Sequence, residues 1–274
     1  MNTPAPRILR TVRTAQRGFT LIEMMVAITL GIFLVGGLLM MVQSTRSAFG
    51  NQQLLAQLQD NERLVMTFMA AVVETTGYFP NPVINTNITM FPAPFAIPLH
   101  AGQQFNVPGQ AIFGTLNAPA VGGDTVTVRY AAGPNVPAPG DNVFNCKGTK
   151  NTTGATDVFI NTFWVDTTNP NNPVLTCTVS SANGAFPPKN IPLVNGVQSL
   201  SIQYGIKRSV ADTGSCADTY LTANNMAPVG FPNDWLNVCS INVSMSFVNP
   251  LTPAGPPIVI QRVIATMNAA GVNS

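Results

Sequence analysis

The sequence predicts an α+β protein in which one long N-terminal helix precedes an antiparallel sheet. Three observations predict it. An apolar run near the start passes into a helical stripe without meeting a proline. Alternating, β-branched segments follow with no helical pattern between them. Four cysteines, Cys146, Cys177, Cys216 and Cys239, all lie in that later part.

The helix opens with the apolar run at residues 19–42, where Glu23 is the only charge. At about 1.5 Å per residue such a helix is roughly 36 Å long, enough to cross a hydrocarbon core of about 30 Å. Arg7, Arg10, Arg13 and Arg17 precede the run and no acidic residue does. That asymmetry predicts a cytoplasmic N-terminus and an exported remainder. An ordinary signal peptide uses only about 7–15 apolar residues, and residues 43–50 offer no A-x-A cleavage site. A plain membrane anchor explains the length but not Glu23, because an unpaired carboxylate inside a membrane costs about 3 kcal/mol or more.

Leu54, Leu58, Val65, Met69 and Val72 extend the helical period beyond the apolar run. No proline occurs between Phe19 and Phe79, and Gly77 supplies a stop. The expected helix, residues 19–76, is roughly 87 Å long. Its amphipathic half, residues 43–76, needs an apolar surface to bury its stripe. Gly31, Gly36 and Gly37 interrupt the apolar half, each at about 1 kcal/mol relative to alanine. Two readings stay open for them: close helix packing, or a segment able to extend.

Residues 79–123 are dense in Pro, Asn, Gly and Ala and read as a long connecting region. Strand patterns then occupy residues 124–130, 157–166, 174–180, 200–206, 239–247 and 258–266. Strands in succession without helices between them favour antiparallel pairing.

Charge is sparse, at 9% of residues against 46% hydrophobic, where about 25% charged is usual. The thirteen basic residues include the four early arginines, which leaves nine against eleven acidic. From Gly77 onward the balance is seven against seven. No basic patch exists to neutralise phosphates, and Lys147, Lys150, Lys207 and Arg208 are too few to make one. A nucleic-acid partner is not expected.

No cysteine pair has the C-x-x-C spacing of zinc or redox sites. An even number behind an export-type N-terminus points to disulfides. Three pairings exist; the sequential one, Cys146–Cys177 with Cys216–Cys239, closes the shorter loops and is expected.

Little else suggests chemistry. His100 is the only histidine and lies in a Pro/Gly/Ala-rich stretch, which reads as a solvated loop. Asp212 and Asp218 flank Cys216, weak grounds for a calcium site. Trp164 and Trp235 read as packing residues, and the Asn-x-Thr triplet at residues 151–153 as an uninformative glycosylation pattern. Hydrolase, zincin and phosphate-loop motifs do not occur. The expectation is a protein that is not an enzyme, with no cofactor and no metal.

The residues R-G-F-T-L-I-E at 17–23 resemble the type IV pilin precursor motif shared by major pilins, minor pilins and type II secretion pseudopilins. The resemblance implies a leader, residues 1–18, left on the cytoplasmic side when prepilin peptidase cuts between Gly18 and Phe19. It further implies N-methylation of Phe19 and a role for Glu23 in subunit assembly within the filament core. The chemistry is consistent with that. Cleavage creates an amine about one helical turn before Glu23, and a buried carboxylate needs a cationic partner.

A second stretch, P-L-V-N-G-V-Q-S-L-S-I-Q-Y-G-I at 192–206, is similar to a segment of PilW-type minor pilins, with a related version in J-type pseudopilins. Residues 235–247 and 261–265 match more loosely. The helix end V-V-E-T-T-G-Y-F at 72–79 resembles the family's entry into its globular domain. The basic residues that usually end the closing strand are missing from residues 269–274.

The resemblance implies a pilin-like fold of four parts: leader 1–18, membrane and filament-core helix 19–42, amphipathic helix 43–76, and a periplasmic or extracellular β-rich domain 77–274. It implies a minor pilin that acts in pilus assembly or priming, with roles in surface display, twitching motility or DNA uptake. A J-type secretion pseudopilin is the alternative, and a competence pseudopilin a further one. The implied partners are other minor and major pilins through the N-terminal helix, prepilin peptidase, the inner membrane and a tip adhesin. The implied location is the inner membrane, C-terminus in the periplasm, and then the pilus at the cell surface.

Overall fold

A computed structural model describes residues 18–118, 122–134, 141–207, 216–227 and 234–267. The leader up to Arg17, Asp212 and residues 269–274 lie outside the described residues. The chain divides into two units, Met1–Gln53 and Leu54–Ser274.

Helix α1 spans Leu21–Glu74, slightly inside the expected bounds. Its end follows from local chemistry. Gly77 adopts a left-handed φ of 80° and donates its N–H to Arg129 O at 3.0 Å, which turns the chain onto the sheet. In the second unit Val65, Met66, Met69, Ala70, Val72 and Val73 are buried in the main core. Of the expected stripe, Val65, Met69 and Val72 are buried, Leu58 is half-buried and Leu54 stays exposed.

Among the described residues the sheet has nine strands. Along its main path run β11 (Ile258–Ala265), β10 (Val238–Phe247), β8 (Val197–Ile206), β4 (Gly123–Ala132), β5 (Asp157–Asp166), β6 (Val174–Ser181) and β7 (Lys189–Asn195), with β3 (Ile112–Ala118) on β4 and β9 (Thr219–Leu221) on β8. Pairing is antiparallel except where β4 meets β8, at the single parallel pair Gly123–Leu200. That seam joins two half-sheets. Leu200 N–H donates to Gly122 O at 2.9 Å, and Ile202 N–H donates to the Asp124 carboxylate at 2.8 Å. Here a side chain stands in for a backbone acceptor. A Cβ on Gly123 would meet Leu200 O at 2.3 Å, so the seam requires glycine.

The connecting-region reading of residues 79–123 needs correction. This stretch contains α2 (Asn87–Met90), a small β1–β2 hairpin (Phe95–Ala96 with Gln104–Phe105) and β3, which pairs with β4 from Ile112–Val128 to Ala118–Gly123. Local periodicity could not signal β3, because pairing with β4 holds it. The stretch also packs as a layer on the far side of the sheet from α1. Phe91 and Ala111 lie against Ala131, and Ile97 and Phe105 against Ile160. Hence β4 is buried almost throughout: Val126, Val128 and Tyr130 join the main core, while Arg129 and Ala131 lie under the layer.

Strand β7 was not expected either, since Pro192 argues against a strand. It tolerates the proline as an edge strand, with a register shift beside it. The disulfides are Cys146–Cys177 and Cys216–Cys239, the sequential pairing. Closing loops of 31 and 23 residues, each contributes roughly 3–4 kcal/mol on the chain-entropy account.

Candidate assembly site

Gly18, Phe19 and Thr20 lead into α1 in non-helical conformation, and Phe19 is 85% exposed. Glu23 lies in the first turn of the helix. Its N–H donates to Thr20 O at 3.1 Å and to Thr20 Oγ1 at 3.4 Å. The T-L-I-E spacing is that of a capping box, so Glu23 also sits at the positive end of the helix dipole. Sequence reasoning missed this local role, although the Thr20-x-x-Glu23 spacing was its signal.

From Leu21 to Gln53 every residue except Gly31 and Gly36 is exposed, and an 18-residue window reaches a mean hydropathy of 2.5. Ile28, Gly31, Ile32, Val35, Gly36 and Leu39 line a shallow groove along one face. Among the described residues, nothing beyond the helix's own neighbouring backbone lies within 4 Å of where a Cβ on Gly31, Gly36 or Gly37 would stand. The chain's own packing therefore does not require these glycines.

In the second unit, the stretch that suggested a minor pilin, residues 192–206, forms the end of β7, the turn at Gly196 (φ 82°) and all of β8. Leu200, Ile202, Tyr204 and Ile206 point into the core, and Ser199, Ser201 and Gln203 point outward. The alternation places β8 at the centre of its half-sheet, between β10 and the seam. Trp235 packs at 4.9 Å from Tyr204 and 5.4 Å from Phe113, ring centre to ring centre. It is a core residue, as expected.

His100 is not a solvated loop residue. It is half-buried, with Nε2 3.2 Å from Thr178 Oγ1. Thr178 donates to Asn190 Oδ1 at 2.7 Å and accepts from Trp164 Nε1 at 3.0 Å. With its proton so committed, Thr178 takes its remaining bond from a protonated Nε2 of the imidazole. Burial lowers the His100 pKa, which favours the neutral ring. The Asn151 amide nitrogen is likewise committed, donating to Ala132 O, Gly133 O and Ala155 O at 2.7–3.1 Å within a buried turn. Among the described residues no three His, Cys, Asp or Glu side chains cluster as metal ligands.

Comparison with known families agrees with both ends of the chain. The prokaryotic N-terminal methylation motif matches residues 13–39. The family described as type IV pilus-assembly protein W matches residues 162–252, from within β5 to just past β10. No curated protein matches the chain as a relative. A methylation motif opening an exposed apolar helix, followed by a helix-backed, disulfide-tied sheet with a W-type segment, supports a type IV pilin-like minor pilin.

Proposed function

We infer that the chain is a structural, non-enzymatic subunit that enters a type IV pilus through its N-terminal helix and helps to initiate assembly. The observation that carries this reading is the helix itself. Among the described residues its apolar half has no partner surface in its own unit, and it follows a processing-type motif. Such a surface needs lipid or other helices around it. The bilayer provides the first environment and neighbouring pilins the second. Before assembly the chain is anchored in the inner membrane with its β-rich domain in the periplasm.

In this reading prepilin peptidase cuts between Gly18 and Phe19, and Phe19 is methylated. The Phe19 amine of one subunit then meets Glu23 of a neighbour. Pairing across subunits makes burial of a lone carboxylate unfavourable until the register is correct. Surface display, twitching motility and DNA uptake are the activities such a subunit would support, with a tip adhesin as a further partner.

Deleting the gene and scoring surface pili and twitching against export of secreted proteins tests the reading. Loss of pili with normal export is expected. Normal pili with lost export would favour a J-type pseudopilin instead. Replacement by Glu23→Gln should leave cleavage intact and reduce the chain recovered in sheared filaments; normal recovery would remove Glu23 from the assembly step.

A further inference from the structure

The two ends of the sheet differ in kind. At one end β7 carries Lys189, Pro192 and a register shift. These features resist addition of another strand, since proline offers no N–H and a bulge twists the edge away. At the other end β11 reads I-V-I-Q-R-V-I-A, with no proline, and is paired throughout with β10 alone among the described residues.

The phase of the ladder settles which backbone groups are free. Thr266 N–H donates to Cys239 O at 2.8 Å, one step beyond the paired residues Ala265 and Ser240. In an antiparallel pair such bonds recur every second residue. Residues 258, 260, 262 and 264 therefore bond to β10, while Val259, Gln261, Val263 and Ala265 direct their N–H and C=O groups to the open edge. Val259 and Val263 are 60% and 57% exposed. The face that they extend is uncharged: Ser199, Ser201 and Gln203 of β8, and Asn242, Ser244 and Ser246 of β10. Cross-strand bonds run along it, from Asn242 Nδ2 to Gln203 Oε1 and from Gln261 Nε2 to Asn242 Oδ1. Arg262 points the other way, its Nη1 3.5 Å from Met66 O on α1.

We propose that the open edge of β11 receives an extended strand from a different subunit of the same assembly. A ladder of alternating amides and carbonyls is completed only by another backbone, so the occupant is a polypeptide in extended conformation. Beside Val259 and Val263 it presents aliphatic residues, and it carries no charge there. A second copy fits poorly. Antiparallel edge pairing that keeps the valines on one face uses a two-fold axis normal to the sheet. That axis would set the helix segments packed on the two sheets, residues 65–73, in opposite directions, whereas subunits that enter one filament through their N-terminal helices run the same way. The proposal rests on the assembly reading above.

Val263→Pro tests it, because the lost N–H points outward and no bond to β10 is removed. Val263→Ala, which keeps the N–H, is its control. Both are expressed as full-length chains in place of the wild type. The proline variant should keep its disulfides and protease-resistant domain, yet fall about ten-fold or more in the sheared filament fraction, while the alanine variant changes about two-fold or less. Equal recovery of the proline variant and wild type overturns the proposal. If the proline variant fails to fold, amide exchange at wild-type Val259, Gln261, Val263 and Ala265, whose N–H groups do not bond to β10, decides. Protection in filaments but not in the detergent-solubilised chain supports the strand, and equal exchange in both overturns it. A wild-type chain absent from filaments would instead sink the assembly reading.

Discussion

The guanidinium carbon of Arg129 lies 4.1 Å from the ring centre of Phe105, on the side of the sheet opposite α1. Nε donates to Gln110 O at 2.6 Å, Nη1 to Pro92 O at 2.9 Å and Nη2 to Phe91 O at 3.2 Å. One cation thus gathers the layer formed by residues 79–118 through its backbone carbonyls. Desolvation lowers its pKa to about 9, so it stays charged at neutral pH. Arg129→Met is expected to cost about 3–5 kcal/mol, because the Gln110 and Pro92 carbonyls lose this donor and that of Phe91 keeps only the Gly109 N–H. Arg129→Lys should cost less, keeping the charge but not the fork. Denaturant unfolding of the full chain in detergent measures both.

Tyr204 and Gly114 make a second closely fitted pair. A Cβ on Gly114 would fall 1.8 Å from the Tyr204 hydroxyl oxygen, and 2.8 Å from the ring carbon that bears it. Gly114→Ala should therefore destabilise the domain by about 2–4 kcal/mol through overpacking. Adding Tyr204→Phe removes the nearest atom but not the ring. The double variant should recover part of the loss, and a thermal-melt cycle over the four proteins gives the coupling. Strict additivity would rule out the contact as the cause.

His100 should make stability depend on pH in one direction. Its folded-state pKa is lowered by burial, so below the ordinary value of about 6.5 the unfolded chain binds more protons than the folded one. The contribution is complete above that value and is lost as the pH falls through it towards the folded-state pKa. His100→Asn should flatten this part of the stability profile. Melting temperatures of both proteins between pH 7.5 and 5, in the range where histidine titrates, check the difference.

Gly31 and Gly36 separate the needs of the chain from those of its assembly. Among the described residues, no atom beyond the helix's own neighbouring backbone opposes a Cβ at either position, so Gly31→Ala with Gly36→Ala should raise intrinsic helix stability by about 1 kcal/mol per site. Circular dichroism in micelles should show undiminished helicity. If neighbouring helices approach over the glycines, recovery in filaments falls all the same. Unchanged recovery would favour extension of the segment over close packing.

How much of this was legible follows from where each signal resides. Helix α1 could be read because length, hydropathy and proline-free sequence are local properties. The same holds for β5, expected at residues 157–166 and found as Asp157–Asp166. Strand β3 could not be read, because Gly114 breaks its pattern to make room for Tyr204 some 90 positions later. Strand β7 was hidden by Pro192, which only an edge position tolerates. His100 reads as a surface residue in sequence because the groups that hold it, Thr178 and the Trp164 ring, come from distant strands. At the assembly site, Gly18, Phe19 and Glu23 were legible as a motif, but the cap from Thr20 had gone unread.

The layer over the sheet has one further property. Between Glu74 and Asp124 the sequence contains no Asp, Glu, Lys or Arg. A surface without fixed charge gathers no counterion cloud, and has little for dissolved salt to screen. What touches this side of the protein should therefore meet it on the same terms in fresh water, in brine or in a host fluid. One face of the molecule is thereby made indifferent to the ionic strength of its medium.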